Sequence, residues 1–167
     1  IRSQRSFLAL GDAIAAVAPI GIFFGRIANF INGELWGRPI ESHVPWAVIF
    51  PEGGMIPRHP SQLYGAIAEG LIPLLIILPI HARHRRPGLT GGILLILYSI
   101  GRFADEFFRE RDLKQPLAWG TQSNGLNEGQ VLTIPVFIVG VIMMIWALRR
   151  PRNPDAYKVP AIPPKPT

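Results

Sequence analysis

Gly25-Arg26-Ile27-Ala28-Asn29-Phe30-Ile31-Asn32-Gly33-Glu34-Leu35-Trp36-Gly37-Arg38 follows an almost uninterrupted apolar run, Phe7 to Phe24. A guanidinium and two amides therefore stand where a hydrophobic helix is still inside a bilayer or just leaving it. A charge at the centre of a membrane helix costs about 2.5–3.5 kcal/mol on insertion scales, so charge at that depth reads as functional by default. Spanning a bilayer takes roughly 20 mostly apolar residues. Working outward from the first run, the qualifying stretches are Phe7–Ile31, Leu63–Ile80, Leu89–Phe108 and Val131–Leu148. Burying all of them inside a soluble domain of 167 residues is disfavoured by surface-to-volume scaling. The expected fold is all-α, a multi-pass transmembrane helical bundle of about four spans. An irregular extracytoplasmic segment separates the first two. The mean hydropathy of only +0.27 hides the segregation of apolar runs from short loops rich in Arg, Pro and Gly.

The net charge of +6 follows the same segregation. With spans alternating in direction, Arg2, Arg5, Arg83, Arg85, Arg86, Arg149, Arg150, Arg152, Lys158 and Lys165 share one side. Nearly all the acids, including Glu34, Glu41, Glu52, Glu110, Asp112 and Glu128, lie on the opposite side or in the spans. The positive-inside rule makes the basic side, and with it the C-terminus, cytoplasmic. The basic excess is then a topology signal and an attraction for anionic membrane lipid, not a nucleic-acid footprint. The absence of Cys excludes disulfides, a protein thiol nucleophile and Cys-ligated zinc. The chain opens at Ile1 and runs directly into a span, unlike a signal peptide, so we expect further sequence upstream.

Between the first two spans, Pro39, Pro45, Pro51, Pro57, Pro60 and Gly53-Gly54 punctuate the chain into turns. The apolar run Trp46 to Phe50 inside this segment reads either as a short strand or as an interfacial stretch. Trp36 and Trp46 suit a membrane–water boundary. Pro73 and Pro79 are expected to kink or end the second span. Residues 151–167 are rich in Pro and Lys and are expected to be a disordered cytoplasmic tail, leaving 1–150 as the membrane-embedded domain.

On a helix, Arg26, Asn29 and Gly33 fall at i, i+3 and i+7 and share one face. Gly33 and Gly37 leave room for close approach of backbone or ligand. A planar guanidinium beside amides suits a phosphate ester. A helix end meeting interfacial water, with Arg26 snorkelling, would account for one arginine. It does not account for Arg26 together with Asn29, Asn32, Glu34 and Arg38. The third span repeats the pattern: Tyr98, Arg102, Asp105, Glu106 and Arg109 follow i, i+4, i+7, i+8 and i+11 on one stripe. Its structural alternative is a salt-bridge ladder, Arg102 to Glu106 to Arg109. Two polar stripes in the outer halves of their spans predict a shared cavity opening outward, which marks a substrate path. In Arg58-His59-Pro60-Ser61-Gln62-Leu63-Tyr64, Ser61 is expected to cap the second span. His59 is the one histidine considered for proton transfer. His81 and His84 have metal-like spacing, but their Arg neighbours repel a cation, and no metal or cofactor is expected. Neither a Gly-x-Ser-x-Gly elbow nor a phosphate-binding Gly-Lys-Ser/Thr loop is present.

Gly25-Arg26-x-x-Asn29-Phe30-x-Asn32-x-Glu34-x-x-Gly37 resembles the signature of the bacterial prolipoprotein diacylglyceryl transferase family. His59-Pro60-Ser61-Gln62-Leu63-Tyr64 resembles that family's second block. Tyr98-x-x-x-Arg102-x-x-x-Glu106-Phe107-Phe108-Arg109 resembles its third. The three blocks, in order, cover nearly all of the chain before the tail, and the hydropathy matches the family's C-terminal half. The resemblance implies transfer of diacylglyceryl from phosphatidylglycerol to the lipobox cysteine of a prolipoprotein signal peptide. The products are a thioether and glycerol phosphate, in the first step of lipoprotein maturation. It also implies a bacterial inner-membrane location with the catalytic face extracytoplasmic. Carried over by position, Arg26 is the phospholipid-binding arginine, Asn29 and Gly37 are signature positions, and Arg102 is the second catalytic arginine with Tyr98 beside it. The expected catalytic set is Arg26, Asn29, Tyr98, Arg102 and Glu106; substrate binding is expected from Arg26, Asn29, Glu34, Gly37, His59 and Arg109. Two departures stand out. The family's upstream His-Gly-Gly block is absent, and Gly65 stands where members often carry an acid.

The chemistry is consistent with the residues themselves. A substrate thiol, with an unperturbed pKa of about 8.5, must react as thiolate. The phosphate ester gains charge as its C–O bond breaks, and two arginines in a low-dielectric cavity are suited to hold it. A reading from another class stays open: a membrane transporter or anionic-lipid-binding protein, which would bind or conduct without a covalent product. The lack of a visible inverted repeat weighs against it.

Overall fold

Each apolar run folds into one helix. The computed structural model describes residues 7–40, 44–110 and 126–157. Among these residues the four long helices are α1 (Phe7–Ile31), α2 (Ser61–Arg83), α3 (Leu89–Asp105) and α4 (Glu128–Leu148). Among the described residues α1, α2 and α4 are long and apolar enough to cross a membrane. Their outer faces stay apolar and uncovered, as on α4, where Leu132, Ile134, Ile138, Ile142 and Ile145 are exposed. Apolar surface that extensive needs lipid or a partner against it.

The helices alternate in direction, because opposite ends of consecutive helices meet. At one end, Asp12 near the start of α1 reaches the start of α3, and Arg86 ahead of α3 donates to the Leu148 carbonyl at the end of α4 (2.6 Å). At the other end, Arg26 of α1, Gly65 of α2, Asp105 of α3 and Gly129 of α4 stand around one cluster of charge. Close packing depends on small residues. A Cβ on Gly101 of α3 would stand 2.6 Å from the Ala68 carbonyl oxygen of α2, and one on Gly140 of α4 would stand 2.9 Å from the Gly92 oxygen of α3. Association inside a bilayer relies on such backbone approach, since lipid gives helices no hydrophobic reason to pair.

Two helices depart from expectation. The third run was expected to stay helical to Phe108, but α3 stops at Asp105 after 17 residues. The chain turns there, with the Phe108 N–H on the Asp105 carbonyl (2.9 Å), so that Phe108 can accept from the Arg38 N–H at 2.8 Å. In α2, Pro73 and Pro79 neither break nor end the helix. Residues Ala66–Leu71 form a wider π-helical turn between α-helical segments. That turn relaxes the carbonyl that the Pro73 ring would otherwise crowd.

Between α1 and α2 the run Trp46 to Phe50, readable either as a strand or as an interfacial stretch, contains a two-residue strand. Strand β1 (Val48–Ile49) pairs antiparallel with β2 (Pro57–Arg58), with Val48 opposite Arg58. Arg58 is buried and clasps the segment together. Its Nε and Nη2 donate to the Gly53 carbonyl (2.9 and 2.6 Å), its Nη1 to the Gly37 carbonyl (3.2 Å), and it pairs with Glu110 at 2.7 Å. The Trp36 indole N–H donates to the same Glu110 carboxylate at 2.7 Å.

Asp12 organises the opposite end. Its buried carboxylate accepts from the Gly88 and Gly91 N–H groups (both 2.8 Å) and from the Tyr157 hydroxyl (2.6 Å). The free donors at the start of α3 are thus satisfied from another helix. Burial and the Asp12 carboxylate push the Tyr157 phenol above its usual pKa, keeping it a donor. Of the expected tail, the turn Pro154–Tyr157 is described, and residues 158–167 lie outside the described residues. Asp12→Ala strands buried N–H donors and is expected to destabilise the bundle by roughly 1–3 kcal/mol. Asp12→Asn should fall between it and the parent when melting temperatures are compared in one detergent.

Candidate active site

The charged cluster is assembled from three helices and a turn. Arg26 Nη2 of α1 donates to Glu69 Oε2 of α2 at 2.7 Å. Arg102 Nη1 of α3 lies 2.7 Å from Glu106 Oε2, in the turn after the helix, and 3.6 Å from Asp105 Oδ2. Arg26 also interacts electrostatically with Asp105 and Tyr98, and Arg109 with Arg102, Glu106, Arg26 and Asp105. The two stripes read from the sequence therefore meet in one place. The expected ladder is half formed. Arg102 pairs with Glu106, whereas Arg109 makes no ion pair among the described residues.

Exposure is uneven across these pairs, and this decides what the cluster can do. The side chains of Arg26 and Arg102 keep 15% and 18% of their surface accessible, while those of Glu69 and Asp105 keep 1% each. The cations are the accessible members of these pairs, and the Glu69 and Asp105 carboxylates are the sealed ones. Such guanidiniums are preorganised donors with most of their desolvation already offset, suited to an arriving anion. The first turn of α4 closes the far side: a Cβ on Gly129 would lie 2.9 Å from Glu106 Oε2 and 3.1 Å from Arg102 Nη2.

The remaining candidates lie at the same end of the bundle, in the last turns of α1 and the segments that follow α1 and α3. Asn29 sits half-buried one turn beyond Arg26, and its carbonyl accepts from the Glu34 N–H at 3.0 Å. Gly33 lies past the end of α1 with φ of 68°, so it does not share the helical face of Arg26 and Asn29 as expected. Its left-handed backbone turns the chain out of the helix. Arg109 is likewise off the α3 stripe and bridges Gly37 through the backbone. Glu34 is exposed. Its carboxylate accepts from Asn32 Nδ2 (3.0 Å) and its carbonyl from Gln62 Nε2 (2.7 Å). Ser61 does not cap α2; its hydroxyl donates to the Leu35 carbonyl at 3.2 Å.

His59 packs with Tyr64 and Phe108, its Nδ1 3.2 Å from the Tyr64 hydroxyl. Burial pushes the imidazole below its usual pKa, so the ring is neutral at neutral pH. Gly37 is indeed a point of close approach, and what approaches it is backbone. A Cβ there would stand 2.5 Å from the His59 carbonyl oxygen and 2.7 Å from that of Phe108. Gly37→Ala is therefore expected to force these strands apart at a cost of about 1–3 kcal/mol. A lowered melting temperature, with faster proteolysis of the 34–60 segment, would report it.

Glu69 was missed in the sequence. The signal was available: it is an acid inside the apolar run Leu63–Ile80, at a depth where charge is as costly as at Arg26. Fully buried with 0% exposure, it is the direct partner of that arginine.

By class, then, this is a multi-pass helical membrane protein whose spans converge on carboxylate-backed arginines. Residues 1–146 match the family described as prolipoprotein diacylglyceryl transferase, and the chain belongs to that family. It is 50% identical over 149 residues to the phosphatidylglycerol–prolipoprotein diacylglyceryl transferase of Idiomarina loihiensis, covering 89% of this chain and 54% of that protein. Identity is 50% over 157 residues to the protein of that name from Rhodopseudomonas palustris, covering 92% and 53%. For the Gluconobacter oxydans protein of that name it is 45% over 159 residues, covering 93% and 57%. The chain spans about half the length of the curated relatives it matches.

Proposed function

We propose that this chain serves the transfer of a diacylglyceryl group from phosphatidylglycerol to the lipobox cysteine of a prolipoprotein signal peptide. The observation that carries this is the pair of accessible guanidiniums at one end of a membrane bundle, Arg26 paired with the sealed Glu69 carboxylate and Arg102 with Glu106. In the reaction the substrate thiolate attacks the glycerol carbon of the donor. A C–S bond forms, the C–O bond to phosphorus breaks, and the electron pair leaves on glycerol phosphate. The thiol proton passes to a base. Arg26 and Arg102 hold the phosphate as its charge grows. Glu106 fixes Arg102, and Tyr98 and Asn29 border the same cluster. Glu34, Gly37, His59 and Arg109 shape the rim where the substrates enter.

The site belongs at the extracytoplasmic face of a bacterial inner membrane, with the C-terminus in the cytoplasm. In support, Arg83, Arg85, Arg86, Arg149, Arg150 and Arg152 gather at the end opposite the cluster. Residues 1–150 then form the membrane-embedded domain and 151–167 its cytoplasmic tail. The test is mass spectrometry of a lipobox peptide incubated with the full-length protein in vesicles with and without phosphatidylglycerol. A mass gain equal to one diacylglyceryl group, present only with that lipid and absent from a Cys→Ser peptide, is expected. Lipid binding with no covalent product would sink the transfer mechanism.

A further inference from the structure

Asp105 has no place in the chemistry above, yet its side chain is one of the most deeply buried charges in the protein. Oδ2 stands 3.6 Å from Arg102 Nη1, and the side chain is only 1% exposed. Oδ1 is buried without a hydrogen-bond partner among the described residues. Its contribution is therefore charge more than a hydrogen-bond network. It interacts with Arg26, Arg102 and Arg109 and is repelled by Glu69. Within the cluster the carboxylates of Glu69, Asp105 and Glu106 match the guanidiniums of Arg26, Arg102 and Arg109 in number. Removing the charge of Asp105 leaves a net positive charge in a region of low dielectric.

Gly65 faces the same spot from α2, four residues before Glu69. A Cβ there would lie 3.2 Å from Arg26 Nε and 3.5 Å from Asp105 Oδ2. A Cβ at 65 would already touch that carboxylate and press on Arg26, so a longer side chain there competes with Asp105 for the space beside the guanidinium. A carboxylate carried at 65 would in turn reach the same guanidiniums from the neighbouring helix.

Resting on the transfer reaction proposed above, we propose that Asp105 is a positioning residue that balances and orients the arginine pair, and that Gly65 is small to admit it. The two positions form one exchangeable unit, so the carboxylate can be moved from α3 to α2.

The test uses the full-length protein and four variants, Asp105→Asn, Asp105→Ala, Gly65→Glu and the double variant Gly65→Glu/Asp105→Ala. Asp105→Asn keeps the shape and removes the charge. It is expected to lower kcat about tenfold or more through misoriented arginines. KM for phosphatidylglycerol should stay level or fall, since the more positive site still holds an anionic headgroup. Gly65→Glu alone crowds a further carboxylate against Glu69 and Asp105 and is expected to be as impaired. The double variant should return to within about threefold of the parent, the non-additivity that marks coupled neighbours. Melting temperatures should follow the same order, giving a readout independent of turnover. Parental kcat and melting temperature in Asp105→Asn, or a double variant no better than Asp105→Ala in both, would overturn the proposal. If the unmodified protein forms no thioether, the transfer reaction itself is wrong, and the melting series alone still decides whether 65 and 105 are exchangeable.

Discussion

Replacing Arg26 by alanine is expected to slow the proposed diacylglyceryl transfer by two to three powers of ten, and Arg102→Ala should do the same. Loss of one preorganised donor to a developing oxyanion typically removes about 2.7–4 kcal/mol of transition-state stabilisation. Both guanidiniums meet the conditions for that range. Each is partly accessible and each is paired with a carboxylate at 2.7 Å. Lysine at either position keeps the charge but loses the planar fork, so Arg→Lys should be intermediate. Initial rates at saturating phosphatidylglycerol separate this effect from weaker lipid binding. If both alanine variants keep parental turnover, phosphate stabilisation by these residues is ruled out.

Glu69→Ala is expected to be the most destabilising single change in the bundle. Removing one partner of a buried ion pair costs about 3–5 kcal/mol, because the other charge stays behind unpaired. The 15% accessibility of Arg26 places the effect toward the lower end of that range. Glu69→Gln retains an acceptor for Arg26 Nη2 and should lose less. Thermal unfolding in lipid nanodiscs would read the stability term. The double variant Glu69→Ala/Arg26→Met separates the roles, since it removes both charges. Its melting temperature should recover while its transfer activity stays lost. A Glu69→Ala variant that melts with the parent would show that the Arg26 guanidinium finds water without its partner.

Much of the fold was legible because hydropathy and helix length are one-dimensional properties. The bounds expected for α1 are the observed ones, and the apolar cores of the other helices lie where the runs placed them. Helix ends were harder to read. Gly33 and Arg109 look helical by spacing, but both lie beyond the ends of their helices. Gly33 is itself a local stop signal at the first exit, whereas the second exit serves long-range backbone contacts such as the Arg38 N–H on the Phe108 carbonyl. Arg26 and Arg102 could be found because each stands among motif neighbours in the sequence. Glu69 and Asp12 could not be found that way. Each is a lone acid in an apolar helix, and its partners come from sequence-distant segments.

The wide turn at Ala66–Leu71 has one more consequence. An ordinary helix carries a single angular phase from end to end, so whatever aligns one half also aligns the other. A locally widened turn resets that phase midway. The half bearing Gln62 and Gly65 can then be aimed at the arginines while the half bearing Pro73 and Ile77 is aimed independently at the rest of the bundle. Deleting one residue between 66 and 71 would leave the hydropathy profile almost untouched. It would also rotate the Gly65 half by about 100° against the remainder, the angular step of one residue at 3.6 per turn. For this helix the length of the segment, as much as its composition, is part of the information that builds the charged cluster.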